Sequence, residues 1–231
     1  MSEVLRGLGP ESLRAMAAAG QRLLSMGREI FDDILSPHHM VERYLHYPEG
    51  DVLSSDGRSQ YYFHVHDLGP YQDRTHFGHF HLFCRHDPWP REAGDGLGGA
   101  TQPWSSSPQG CEVTHLCAIG LNRQGRPLRL FTTNRWVTDE AYYPAAQVLA
   151  GLDRFHPDGS RPSDDFLRDM VLLFRPRIAA LLAERDRQLL RACAEESPEM
   201  VFEDQSRAIL SHCEINLEGW VAEVEAALGS P

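Results

Sequence analysis

Between Gln60 and His86 the chain reads QYYFHVHDLGPYQDRTHFGHFHLFCRH, and this stretch holds six of the protein's 12 histidines. Two His-x-His pairs, His64/His66 and His79/His81, sit in segments rich in aromatic and β-branched residues. Such segments favour strands. In a strand alternate residues share a face, so each pair sends two imidazoles to one side. The connection between the pairs contains Gly69 and Pro70, which read as a turn and make the stretch a hairpin. Antiparallel pairing with His64 opposite His81 and His66 opposite His79 would gather four imidazoles on one patch. This pattern requires a sheet with one polar, histidine-bearing face and one apolar face of Tyr61, Phe63, Phe80 and Leu82.

A second hairpin follows. Val113 to Leu121 is almost wholly apolar, Asn122-Arg123-Gln124-Gly125 supplies the turn, and Leu128 to Thr133 returns. With Leu121 facing Arg126, His115 would lie across from Thr132. The two hairpins together predict an antiparallel sheet of about four strands over residues 60–133. Helical patterning flanks it. Leu13, Met16, Leu23, Leu24, Ile30, Phe31 and Ile34 mark an amphipathic helix over about 10–35. Val41 to Leu45 suggests a short second helix, and HYPEGDV a turn into the hairpin. After Asn134-Arg135-Trp136, Thr138 reads as an N-cap with Asp139 and Glu140 in the first turn. Ser163 reads as the cap of a long helix containing Pro176, where a kink is expected. Ser197-Pro198-Glu199 opens another helix, and Trp220, Val221, Val224 and Leu228 line a last one. Residues 87–111, rich in Gly, Pro and Ser, read as a long surface loop. The expected class is α+β, one domain over 1–231, its small sheet packed by N-terminal helices and a helical C-terminal part over about 138–228.

Composition narrows the chemistry. Net charge is −11 with no basic stripe, which argues against nucleic-acid binding. All 22 basic residues are arginine. A chain without lysine has no Schiff-base lysine and no phosphate-loop lysine. No apolar run approaches membrane-span length, and the N-terminus has an early glutamate and no apolar signal core, so a cytoplasmic protein is expected. The five cysteines include no Cys-x-x-Cys pair, and their odd number argues against a disulfide framework.

The segments HYPEGDV, YYFHVH, GHFHLF, LNRQGRPLRLFTTNRWVTDE and FRPRIAALLAERD resemble a bacterial family known only as a domain of unknown function, over about residues 40–190. The resemblance implies no reaction. It marks the hairpin and Asn134-Arg135-Trp136 as the family's signature.

Chemistry therefore has to be read from the residues. Imidazole suits zinc, iron and copper, so His64, His66, His79 and His81 form the candidate ligand pool for a divalent transition metal. His115 is a further candidate if its strand adjoins. Asn134 and Arg135 leave a strand end before a helix, where an arginine can hold a carboxylate; with His115 they are the candidate substrate-binding residues. Glu49 and Asp51 are carboxylates near the first strand, read chiefly as turn residues. A cupin site needs a glutamate soon after its His-x-His pair, whereas Asp67 follows here and the next glutamate is Glu92. A histidine-triad protein needs a third histidine where Phe83 stands. Cys84 falls on the face opposite His79 and His81, and Cys117 lies within an apolar strand, so both read as core residues. Two functional classes remain: a metal-dependent enzyme acting on a small acidic molecule, and a binding or structural protein whose histidines carry metal without catalysis or form a polar network.

Overall fold

The computed structural model describes residues 3–35, 41–65, 76–85 and 113–229. Six antiparallel strands form one sheet in chain order: β1 Tyr47–Leu53, β2 Ser59–His64, β3 Gly78–Arg85, β4 Val113–Leu121, β5 Pro127–Thr133 and β6 Ile209–Glu214. Among the described residues six α-helices accompany them: α1 Pro10–Ser25, α2 Arg135–Thr138, α3 Ala145–Leu152, α4 Pro162–Cys193, α5 Pro198–Glu203 and α6 Leu217–Leu228. The class is α+β, with two strands more than the hairpins alone supply. β1 forms from HYPEGDV, expected as a turn. As an edge strand it tolerates Pro48, whose missing N–H costs no ladder bond on the open side. β6 comes from a mostly polar tail segment and pairs with β5.

One face of the sheet is the apolar floor of the core. Tyr61, Phe63, Phe80, Leu82, Cys84, Cys117, Ile119, Leu121 and Leu130 are buried there with the apolar faces of α1, α4 and α6. Aromatic rings stitch the layers: Phe63 lies 5.0 Å from Phe80 and 5.2 Å from Phe31, and Phe80 6.1 Å from Phe166 of α4. Fully burying a side chain of this size stabilises by about 1.5–3 kcal/mol. Cys84 and Cys117 belong to this core, Cys84 as its strand parity required and Cys117 as its apolar strand suggested.

The helices differ from expectation mainly at their ends. The first stops at Ser25; Gly27 follows and Arg28–Phe31 is a short 3-10 turn, so the apolar spacing to Ile34 spans two elements. Residues 41–45 contain only a turn, with Tyr44 at φ 62°. Asn134, not Thr138, begins the helix after β5: its Oδ1 accepts from the Arg135 N–H at 2.9 Å. Thr138 instead closes that helix, because Asp139 turns left-handed. Pro176 lies within the unbroken run of α4. Ser197 caps α5 as expected, accepting from the Met200 N–H. The turn between β4 and β5 is held by Asn122 Oδ1, which accepts from the N–H groups of Gln124 and Arg126 at 2.9 Å each. Gly125 is obligatory there: φ is +78°, and a Cβ would sit 2.4 Å from the Gly27 carbonyl oxygen. The loop over 87–111 lies outside the described residues. Among those described, no helix is long and apolar enough to cross a membrane.

Candidate metal centre

The histidines lie on the sheet face turned away from the helices. His64 pairs with His79, and Tyr62 with His81. This register differs from the expected one by two residues, which exchanges the cross-strand partners but keeps every side chain on its face, because strand parity repeats every two residues. His66 lies outside the described residues, so the set observed is His64, His79 and His81.

The three rings close on a single point. His64 Nε2 lies 2.6 Å from His79 Nε2, and His79 Nε2 lies 3.0 Å from His81 Nε2. All three ligand atoms fall within 4.8 Å of one another, and all three residues are buried. A tetrahedral ion at about 2.0–2.1 Å from each nitrogen holds its ligand atoms about 3.3–3.4 Å apart, so small ring rotations suffice to seat one. The proton inventory favours the same occupant. The central nitrogen, His79 Nε2, meets two other ring nitrogens. If protonated, its one N–H donates along one of those contacts only. If unprotonated, it needs both neighbours to bring Nε2 protons. A cation satisfies three lone pairs at once.

His115 reaches this group through an irregularity in the sheet. Leu82 pairs with Cys117 but Phe83 pairs with His115, so Leu116 is an extra residue on β4. In a regular ladder Phe83 would face Leu116, and His115 would point into the core beside Cys84. The bulge turns it onto the histidine face, as bulges next to sites commonly do. There His115 Nε2 lies 3.0 Å from His81 Nδ1, and its Nδ1 lies 3.2 Å from Thr133 Oγ1. The partner across β5 is thus Thr133 and not Thr132. Burial, then the Arg185 charge, push the His115 ring down to about 3, so it is neutral at physiological pH. With Nδ1–H donated to Thr133, its Nε2 accepts from His81 Nδ1–H. That leaves His81 Nε2 as a lone pair aimed at the cluster. Outer partners of this kind fix ligand tautomers in metal sites.

Several neighbours beyond the candidate ligands complete the site. Phe131 closes the floor over Ala118, its ring 5.0 Å from that of His79. Tyr62 packs 5.2 Å from His81, and His46 stacks on Tyr62 at 3.5 Å. His76 precedes β3, and its ring lies nearly parallel to His79 at 5.7 Å. Glu140, read as a first-turn acid, is 2% exposed, and its Oε2 accepts the His115 backbone N–H at 2.7 Å. Burial raises its carboxyl to about 7 even though Arg185 and that N–H pull it down.

The other candidates stand elsewhere. Asn134 is fully buried and spends both polar atoms on structure, donating from Nδ2 to the Val201 carbonyl at 2.8 Å besides capping α2. Arg135 is 3% exposed and ion-paired with Glu203. Asp51 binds His46 Nδ1 at 3.0 Å and accepts from Gln60 Nε2 at 2.6 Å. With Glu42, Glu49, His46 and Tyr47 it lines an open cleft of about 570 Å³ along β1.

Fold and site together define an α+β protein with a buried three-histidine centre, able to hold a metal ion, on one face of an antiparallel sheet. The chain belongs to the family described as domain of unknown function (DUF6969), which matches residues 11–215. The family therefore reaches well beyond residues 40–190, from α1 through β6. No curated protein and no solved structure matches the chain.

Proposed function

We propose that this protein is a metal-dependent enzyme acting on a small acidic molecule, with His64, His79 and His81 as ligands to a divalent transition metal. The carrying observation is the convergence of three Nε2 atoms in a buried site. Three imidazole ligands leave a tetrahedral ion one position for water or substrate. There the metal supplies Lewis acidity or an activated water at neutral pH. Zinc, iron and copper all accept such a ligand set. His115 supports the reading from the second layer, since its hydrogen bond orients His81.

The test is metal analysis of protein purified without a histidine tag, before and after repletion with zinc, iron or copper. One ion per chain is expected, with loss of that ion when His79 and His81 are both replaced by alanine. Retention by the double variant, or no uptake by the native chain, removes the reading. Solvent relaxation of a paramagnetic ion then separates an enzyme from a closed carrier site: exchangeable water on the metal is expected, and its absence favours binding without catalysis.

A further inference from the structure

The histidine face carries a cation one row from the cluster. His79 pairs with Gly120 on β4, Gly120 with Arg129 on β5, and Arg129 with Glu214 on the edge strand β6. Directly opposed Arg and Glu on neighbouring strands ordinarily form a cross-strand ion pair. Here they do not. The Arg129 guanidinium carbon lies 5.1 Å over the ring of Phe131, the same ring that packs on His79 and His81. Its Nε is buried and has no acceptor among the described residues. Gly120 makes the placement possible: a Cβ there would lie 3.0 Å from Arg129 Cγ and 2.8 Å from His76 Nε2.

The charge inventory says what such a cation is for. The candidate ligands are three imidazoles, which coordinate as neutral groups, so a bound divalent ion keeps its full charge. An arginine on the same face as that charge, and not paired with the acid it faces, is electrostatically unfavourable unless an anion lies between them. The cleft along β1 cannot favour an anion, since its charged lining includes Glu42, Glu49 and Asp51. The β5 side can.

We infer that Arg129 is the anion-holding residue of the site, and that the ligand is a short dicarboxylate with one carboxylate on the metal and the other on Arg129. The inference rests on the metal reading and narrows it to a substrate class and a side of the cluster. The separations of 5.0 Å from the His79 ring to the Phe131 ring and 5.1 Å from the Phe131 ring to the guanidinium carbon hold that carbon within about 10 Å of the centre of the His79 ring, a distance that suits a chain of a few carbons.

Cobalt(II)-loaded protein tests this, because its visible ligand-field bands report both metal binding and a change of ligand. Titration with acetate, malonate, succinate and glutarate should shift the bands, the best dicarboxylate acting at concentrations about tenfold or more below acetate, as expected for an added charge-assisted contact. Arg129→Met, which keeps the stem over Phe131, should erase that advantage while leaving the cobalt spectrum and the acetate response unchanged. Arg129→Lys should retain part of it. A methionine variant with the native dicarboxylate preference, or a native protein that does not prefer dicarboxylates, overturns the role of Arg129 and leaves the metal centre standing. Absence of cobalt bands removes the metal centre, and this inference with it.

Discussion

The two faces of the sheet are built by the same strands and obey opposite rules. On β2 and β3 the residues Tyr61, Phe63, Phe80 and Leu82 pack against helices, while Tyr62, His64, His79 and His81, their immediate neighbours in sequence, build a polar cluster. Both sets are buried. The core face gains from area removed from water and tolerates no polar atom without a partner. The histidine face gains little from area and depends on each ring nitrogen meeting a complement. Strand alternation lets one segment serve both ends, so the core fixes the backbone on which the imidazoles converge. Damage should therefore separate cleanly: core substitutions cost stability, and histidine-face substitutions cost metal.

The largest separation is expected from His79→Ala combined with His81→Ala. Metal retention should vanish, while circular dichroism and a cooperative denaturant transition persist, because alanine leaves the strand and its opposite face intact. An unfolded double variant would mean the two faces are not independent. Phe80→Ala should do the reverse. It removes a fully buried ring between Tyr61, Phe63 and Phe166, at a cost of about 3–5 kcal/mol in chemical denaturation.

Glu140 sharpens the comparison through pH. Its folded-state carboxyl lies at about 7 against an ordinary 4.5, so its contribution is fully present below pH 4.5 and is lost as pH rises through 7. The loss approaches about 3 kcal/mol at the rate of one pKa unit per 1.36 kcal/mol. Glu140→Gln should flatten the decline between those pH values in pH-dependent unfolding of the metal-free protein. His115 works the other way. Depressed to about 3 from 6.5, it contributes stability above pH 6.5 that is lost as pH falls towards 3. A smaller effect is expected of Thr133→Val, which deletes the partner of His115 Nδ1. Competition with a chelator should show metal affinity about tenfold weaker, the low end for an outer-shell partner, with little change in stability. An unchanged affinity would detach His115 from the site.

Much of the comparison was readable from alternation alone. The spacing of His79 and His81, and the apolar residues interleaved with them, assign the two faces without any knowledge of register, and a slip of two residues did not disturb the assignment. What could not be read depends on irregular backbone. The extra residue at Leu116 inverts the parity of β4 for His115, and nothing in THLCAIGL marks it. Pro48 and Gly50 disguise β1 as a turn, and the half-exposed ILSHCE of β6 lacks the apolar content of a central strand. Thr138, Asp139 and Glu140 imitate a helix start, while Asn134 had already begun one four residues earlier. Arg129 lay in a strand that read well, yet its stacking over Phe131 is a side-chain choice that no strand pattern contains.

The central claim is that three nitrogens from His64, His79 and His81 bind one ion. X-ray absorption at the edge of the metal in stoichiometrically loaded protein addresses it directly. The expected result is a first shell of three imidazole nitrogens at about 2.0–2.1 Å plus one exchangeable oxygen, and no such imidazole shell in the His79→Ala and His81→Ala double variant incubated with the same metal. A shell dominated by carboxylate oxygens or sulfur, or an imidazole shell unchanged in that variant, would contradict it.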